Sequence, residues 1–189
     1  MSDAKEYATS IANDVRALNA LVSLFDDGLE DKLLGVIGEW DDDFTDQAAL
    51  VENLIFTAVL NEYATPEDGA AKLAAGVVDL FNEYRDYEAV TDAVSLGSGL
   101  SNAFLEAYFA DVLEIKFTGS RGFDDAWSID GVRVLVSYGG PNTWLEISDG
   151  SEWVIIECYW GGDKGEALVY VPNVADYANS MIGDERAGR

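Results

Sequence analysis

From Val132 to Val171 the chain reads VRVLVSYGGPNTWLEISDGSEWVIIECYWGGDKGEALVYV, and its apolar residues recur with a period of two. Val132, Val134, Val136 and Tyr138 alternate with Arg133, Leu135 and Ser137, the pattern of a strand that turns one face inward. Gly139-Gly140-Pro141-Asn142 is a turn, residues 144–148 read as a second strand and 153–160 as a third. Gly161-Gly162-Asp163 then sends the chain back along 167–171. Upstream, Leu113, Ile115 and Phe117 alternate with Glu114 and Lys116 and supply one more strand. Short strands joined by tight turns predict an antiparallel meander. Pro172 ends it, and residues 174–182 predict a closing helix. The stretch 153–160 has apolar residues on both faces, with Val154, Ile156, Cys158 and Trp160 on one and Trp153, Ile155, Glu157 and Tyr159 on the other. That predicts cover on both sides, by helices on one and by a second copy of the chain, a homodimer, on the other.

Before the sheet the period is near 3.6. Tyr7, Ile11, Leu18, Leu21, Val22 and Phe25 form one amphipathic stripe, ended by Asp26-Asp27-Gly28. A short second helix is expected over 29–40, broken by Asp41-Asp42-Asp43. Thr45 is placed to cap a third, with Leu50, Leu54, Phe56, Val59 and Leu60 as its core positions. Thr65-Pro66-Glu67-Asp68 has the capping hydroxyl, first-turn proline and carboxylates of a helix start, and Leu73, Val77, Leu80, Phe81 and Tyr84 follow as its inner face. Gly97-Ser98-Gly99 is a break, after which 101–111 reads as one more helix carrying Phe104, Leu105, Tyr108 and Phe109. The class is therefore α+β. It comprises an N-terminal acidic helical region over 1–98, then an antiparallel sheet region with flanking helices over 99–189.

The charge is lopsided. Eleven basic residues face 36 acidic ones, a net charge of −25, and there is no histidine. Residues 1–100 hold 5 basic and 21 acidic side chains, and residues 101–189 hold 6 and 15. Without histidine there is no Ser-His or Cys-His nucleophile pair and no His-based zinc site. One cysteine, Cys158, forms no internal disulfide and fits a reducing, cytoplasmic compartment. No apolar stretch approaches a membrane span, and an acidic surface is repelled by nucleic acid and by anionic lipid alike. Hydrophobic residues still make up 49% of the chain and aromatics 12%, enough for a packed core rather than an acidic tail.

Local motifs give little chemistry. Asp41, Asp43, Thr45 and Glu52 stand at positions one, three, five and twelve of a calcium loop, but Asp46 occupies the sixth position, where that loop needs glycine. Gly97-Ser98-Gly99 lacks the nucleophile-elbow spacing, and no Walker motif occurs. No enzyme activity, cofactor or metal is expected. What remains is carboxylate clustering. Asp26, Asp27, Glu30 and Asp31 form one group, Glu39, Asp41, Asp42 and Asp43 a second, and Asp79, Glu83, Asp86 and Glu88 a third. Within the third, helical spacing sets Asp79, Glu83 and Asp86 on one face, where like charges oppose helix formation. These twelve residues are the candidate partner-binding surface, and Asp124-Asp125 extends the acidity into the second half.

A chain of this length folds into a body about 40 Å across. Duplex DNA of that length carries about 24 phosphates, close to the chain's own −25. In size, acidity and aromatic-rich core the chain resembles the acidic DNA-mimic proteins with which phages and plasmids block restriction enzymes and CRISPR effectors. Gly38-Glu39-Trp40-Asp41-Asp42 is similar to a GxWxD element of plasmid antirestriction proteins. The resemblance implies an inhibitor that occupies the basic nucleic-acid channel of a defence complex in the host cytoplasm. Two other readings stay open from sequence. One is an acidic protein of a halophile with an unrelated function. The other is an immunity or adaptor protein that neutralises a basic partner.

Overall fold

The computed structural model describes residues 3–37, 48–63, 68–121, 127–137 and 140–188. Among them, helices α1 to α6 precede a five-stranded sheet and α7 follows it, which is the α+β order read from the sequence. The chain divides into two compact units, Ala17–Ala110 on one hand and Met1–Arg16 with Asp111–Arg189 on the other.

The helical unit begins in the last turns of α1 (Asp3–Leu24). There Ala17, Leu18, Ala20, Leu21, Val22 and Leu24 are buried. The helix kinks at Phe25–Leu29, where Gly28 stands at φ +90°, a conformation that glycine adopts without strain, and α2 (Glu30–Ile37) leaves in a new direction. The unit continues with α3 (Ala48–Glu62), α4 (Asp68–Tyr84), α5 (Glu88–Leu96) and α6 (Leu100–Ala110). Phe104 of α6 is its hub: the ring is fully buried, 5.5 Å from Phe25 and 5.4 Å from Phe81. Tyr84 continues the cluster, 6.0 Å from Tyr108 and 5.1 Å from Tyr87. Each such aromatic pair adds about 1 kcal/mol beyond the apolar area that it buries. Val77, Leu80, Phe81 and Tyr84 are buried as the spacing of α4 predicts, and Leu73 is half-buried.

Two expectations for the helices change. In α3 the buried stripe is Val51, Ile55 and Val59, residues spaced by four. Of the five residues proposed from sequence only Val59 is on it; Leu50 and Leu60 are exposed, and Leu54 and Phe56 are half-buried. Apolar residues surround this helix, so composition alone does not select its inner face. In α1 Tyr7 is exposed and Ile11 half-buried, while Ala4, Ala8, Ala12 and Val15 are buried. Small side chains lie inward there because the helix backbone approaches the sheet closely.

The sheet has the strand order β1 (Glu114–Arg121), β2 (Trp127–Ser137), β3 (Asn142–Ser148), β4 (Trp153–Trp160) and β5 (Asp163–Tyr170), each antiparallel to its neighbour. Two register shifts interrupt the ladders, at Thr118/Gly119 and between Leu135 and Ser137. Leu135, which pairs with Trp144 on the face opposite the inner layer, is buried, and Val136 at the second shift is only half-buried, which breaks the alternation read from the sequence. One face packs against α7 (Pro172–Ala187), whose Val174, Ala175, Ala178 and Ile182 are buried. Proline stands at the first helical position, where its missing N–H costs nothing. Val132, Val134, Leu145, Ile147, Val154, Ile156 and Cys158 form the inner layer. At one end of that face Tyr7 stacks on Trp160 at 5.7 Å. Gly165 meets the backbone of Ala4 so closely that a Cβ there would overlap the Ala4 carbonyl. On the opposite face, among the described residues, Trp153, Ile155 and Tyr159 of β4 and Leu168 and Tyr170 of β5 are exposed.

The contact between Gly165 and Ala4 gives a direct test. Gly165→Val must push the start of α1 away from the sheet and should lower stability by about 3 kcal/mol, read from urea unfolding. Gly183→Ala, whose Cβ would meet nothing within 4 Å, should leave stability unchanged or raised.

Candidate functional site

The carboxylates singled out by clustering do not form one set. Asp26 and Asp27 lie in the kink between α1 and α2, and Glu30 and Asp31 open α2. Glu30 Oε1 accepts the backbone N–H groups of Gly99, at 2.5 Å, and Leu100, at 3.4 Å. Asp26 Oδ1 accepts the Ser101 hydroxyl at 2.8 Å. Both carboxylates therefore hold the N-terminus of α6, whose first N–H groups have no partner within the helix and whose dipole favours negative charge. Half of the first cluster thus serves the fold, and Asp27 and Asp31 remain exposed.

Asp79 and Glu83 are exposed one turn apart on α4, as the spacing predicts. Asp86 is not on their helix, because α4 ends at Tyr84 and Asp86 occupies the turn before α5, which Glu88 opens. Glu39, Asp41, Asp42 and Asp43 fall outside the described residues, as do the GxWxD-like segment, Asp124 and Asp125. So does most of the calcium-loop pattern; its described member, Glu52, accepts a hydrogen bond from Asn82 at 3.0 Å. Among the described residues no group of three or more metal-ligating side chains converges.

An open groove of about 570 Å³ separates α5 from α6. Ala89, Ala93, Ala103 and Ala107 line its floor, and Glu88, Asp92 and Glu106 line its sides without a cationic residue among them. Glu106 escapes a search for clusters because it is isolated in sequence, and Asp92 because the third group ends at Glu88. The signal that locates Asp92 is its spacing of four from Glu88, and the fold brings Glu106 opposite. Across the whole helical unit, 19 carboxylates accompany three cationic residues, Lys32, Lys72 and Arg85.

The face of the sheet that carries these exposed β4 and β5 residues has a different electrostatic character. Glu157 on β4 accepts from Lys164 Nζ at 2.7 Å, from Arg133 at 2.8 Å and from the Tyr159 hydroxyl at 3.2 Å. Lys164 also pairs with Glu166, Arg133 lies 3.8 Å from Glu146, and Lys116 pairs with Glu114 at 2.8 Å. Lys116 and Arg133 both stand about 5 Å from the ring centre of Trp144, close enough for cation–π attraction. The Lys164 hydrogen bond holds the Glu157 carboxyl below its ordinary 4.5 against the opposing effect of burial. Hydrogen bonds from Lys164 to Glu157 and Glu166 hold the Lys164 ammonium above the ordinary lysine range. Sequence reasoning missed this network. Its signal was the isolated Glu157 amid the apolar run 153–160, with cationic residues on the neighbouring strands.

No protein-family model, curated protein or solved structure matches the chain. Among the described residues no helix is long and apolar enough to cross a membrane.

Two side chains can be tested for the roles assigned to them. Glu30→Ala leaves the first N–H groups of α6 without their acceptor and should destabilise the protein by about 1 kcal/mol, measured by thermal unfolding, whereas Asp31→Ala should be close to neutral. Glu157 has a folded pKa below its unfolded value, so its contribution is present above the ordinary carboxylate range and lost as pH falls through the folded value. Glu157→Gln should be less stable than the parent at neutral pH, and its melting temperature should fall less between about pH 5 and pH 3.

Proposed function

We propose that the helical unit acts as an acidic decoy: it occupies the basic nucleic-acid channel of a restriction enzyme or CRISPR effector and excludes the DNA or RNA. The observation that carries this reading is the charge of the unit, 19 carboxylates against three cations within 94 residues. Of its described carboxylates, Asp27, Asp31, Asp79, Glu83, Asp86, Glu88, Asp92 and Glu106 are exposed. Fields from many such charges add over a protein surface, raise the association rate with a basic partner and release its bound counterions. No catalytic step is required, since inhibition follows from occupancy alone. The aromatic hub around Phe104 supports this reading over adaptation to high salt, because burial of large apolar side chains is a source of stability that does not depend on bound cations.

The experiment is displacement of labelled duplex or guide-bound target DNA from a panel of restriction enzymes and CRISPR effectors. At least one should release its DNA, and release should weaken as salt rises. The combined variant Asp79→Asn, Glu83→Gln, Asp86→Asn and Glu88→Gln should lose about tenfold in potency or more, from four exposed charges, with its melting temperature retained. Asp26 and Glu30 are left intact because they hold α6. A panel in which no enzyme loses its DNA would overturn the reading, and so would a neutralised variant of full potency.

A further inference from the structure

We propose that the exposed apolar patch of β4 and β5 joins two copies of this chain. The inference stands apart from the decoy reading, because it concerns the other unit and rests on a different observation. Trp153 and Ile155 of β4 lie opposite Tyr170 and Leu168 of β5. These four side chains, 49, 40, 51 and 57% exposed, make a contiguous apolar square at one side of the face. The Trp153 and Tyr170 rings already pack together at 5.2 Å. An exposed apolar patch flanked by polar residues is the ordinary mark of a protein contact.

Charge selects the occupant. On this face four carboxylates, Glu114, Glu146, Glu157 and Glu166, accompany Lys116, Arg133 and Lys164; five of the seven form one ion-pair network through Glu157, and Lys116 pairs separately with Glu114. Glu152 accepts the Tyr170 hydroxyl at 3.2 Å at the edge of the square, so the local balance is −2 on a chain whose total is −25. A basic partner gains little here compared with the helical unit. A second copy is repelled by an acidic surface but meets little net charge on this one. An isologous contact also needs a patch that complements itself, and an apolar square meeting its own copy does so. Five strands about 4.8 Å apart and about seven residues long give a footprint of roughly 550 Å² before side-chain relief is counted, against about 800 Å² of accessible surface per partner in a standard interface. Two sheets of that area pack face to face about 10 Å apart.

The salt response distinguishes this contact from binding to a basic partner. Each copy carries −25, so screening should tighten the dimer, whereas it weakens decoy binding. Sedimentation velocity over micromolar to submillimolar protein should show a species of twice 20.5 kDa, with a dissociation constant that falls as sodium chloride is raised. Leu168→Glu and, separately, Trp153→Ser should each weaken it by about tenfold or more, with unchanged circular dichroism. Any of three results would overturn the proposal: a monomer at every concentration and salt, a dimer indifferent to both substitutions, or one that loosens with salt. A monomer whose tryptophan fluorescence responds to an oligosaccharide would also overturn it and assign the aromatic face to a sugar.

Discussion

Self-repulsion is the constraint around which this structure is arranged. A chain of 189 residues with a net charge of −25 opposes its own compaction, and the two units meet that opposition differently. The helical unit leaves most of its described carboxylates in water and relies on apolar packing, with Phe25, Phe81 and Phe104 at its centre. It also puts two negative charges to structural use: Asp26 and Glu30 sit where the N-terminus of α6 presents unpaired donors. The sheet unit instead draws Glu114, Glu146, Asp149, Glu157 and Glu166 into contact with cations. Glu157 is the node of that arrangement, since Lys164, Arg133 and Tyr159 all converge on it.

The alternating strands were readable because a period of two is short and turn residues bracket each run. The stretch 153–160 coincides with β4, and the Gly161-Gly162 turn falls where glycine was expected. Helix α6 was equally legible, since its aromatic residues sit on one side. Legibility failed where the discriminating side chains were small or uniform. The inner face of α1 near the sheet is alanine, which a search for large apolar residues passes over. Helix α3 is apolar on several sides, so its buried stripe follows from its neighbours rather than from its own pattern. Helix α5 has only Val90 and Ala93 buried, too few to produce a period. The candidate site fared similarly. Clustering in sequence found exposed acids but did not separate Glu30 and Asp26, which hold α6, from Asp27 and Asp31, which face water. That distinction depends on residues about 70 positions away.

The two units offer surfaces of opposite physical kind. One is a field, built from many exposed charges whose individual positions matter less than their sum. The other is a local contact, in which a few aromatic and aliphatic side chains lie beside a nearly neutral network. A field acts at a distance and weakens as ions are added; an apolar contact acts only on touching and is spared by them. With both, the chain would meet a basic target through one unit and a copy of itself through the other, under conditions that favour each in turn.

The alanine row at positions 4, 8 and 12 has a consequence for how such a sequence drifts. Each of these side chains is buried, and at position 4 the backbone itself abuts Gly165. Almost any enlargement there lifts a helix from its sheet. An exposed carboxylate, by contrast, can migrate along its helix or exchange aspartate for glutamate with little change in the summed potential. Descendants of this chain would therefore diverge most in the residues that give it its character. They would agree longest in a few inconspicuous alanines and one glycine.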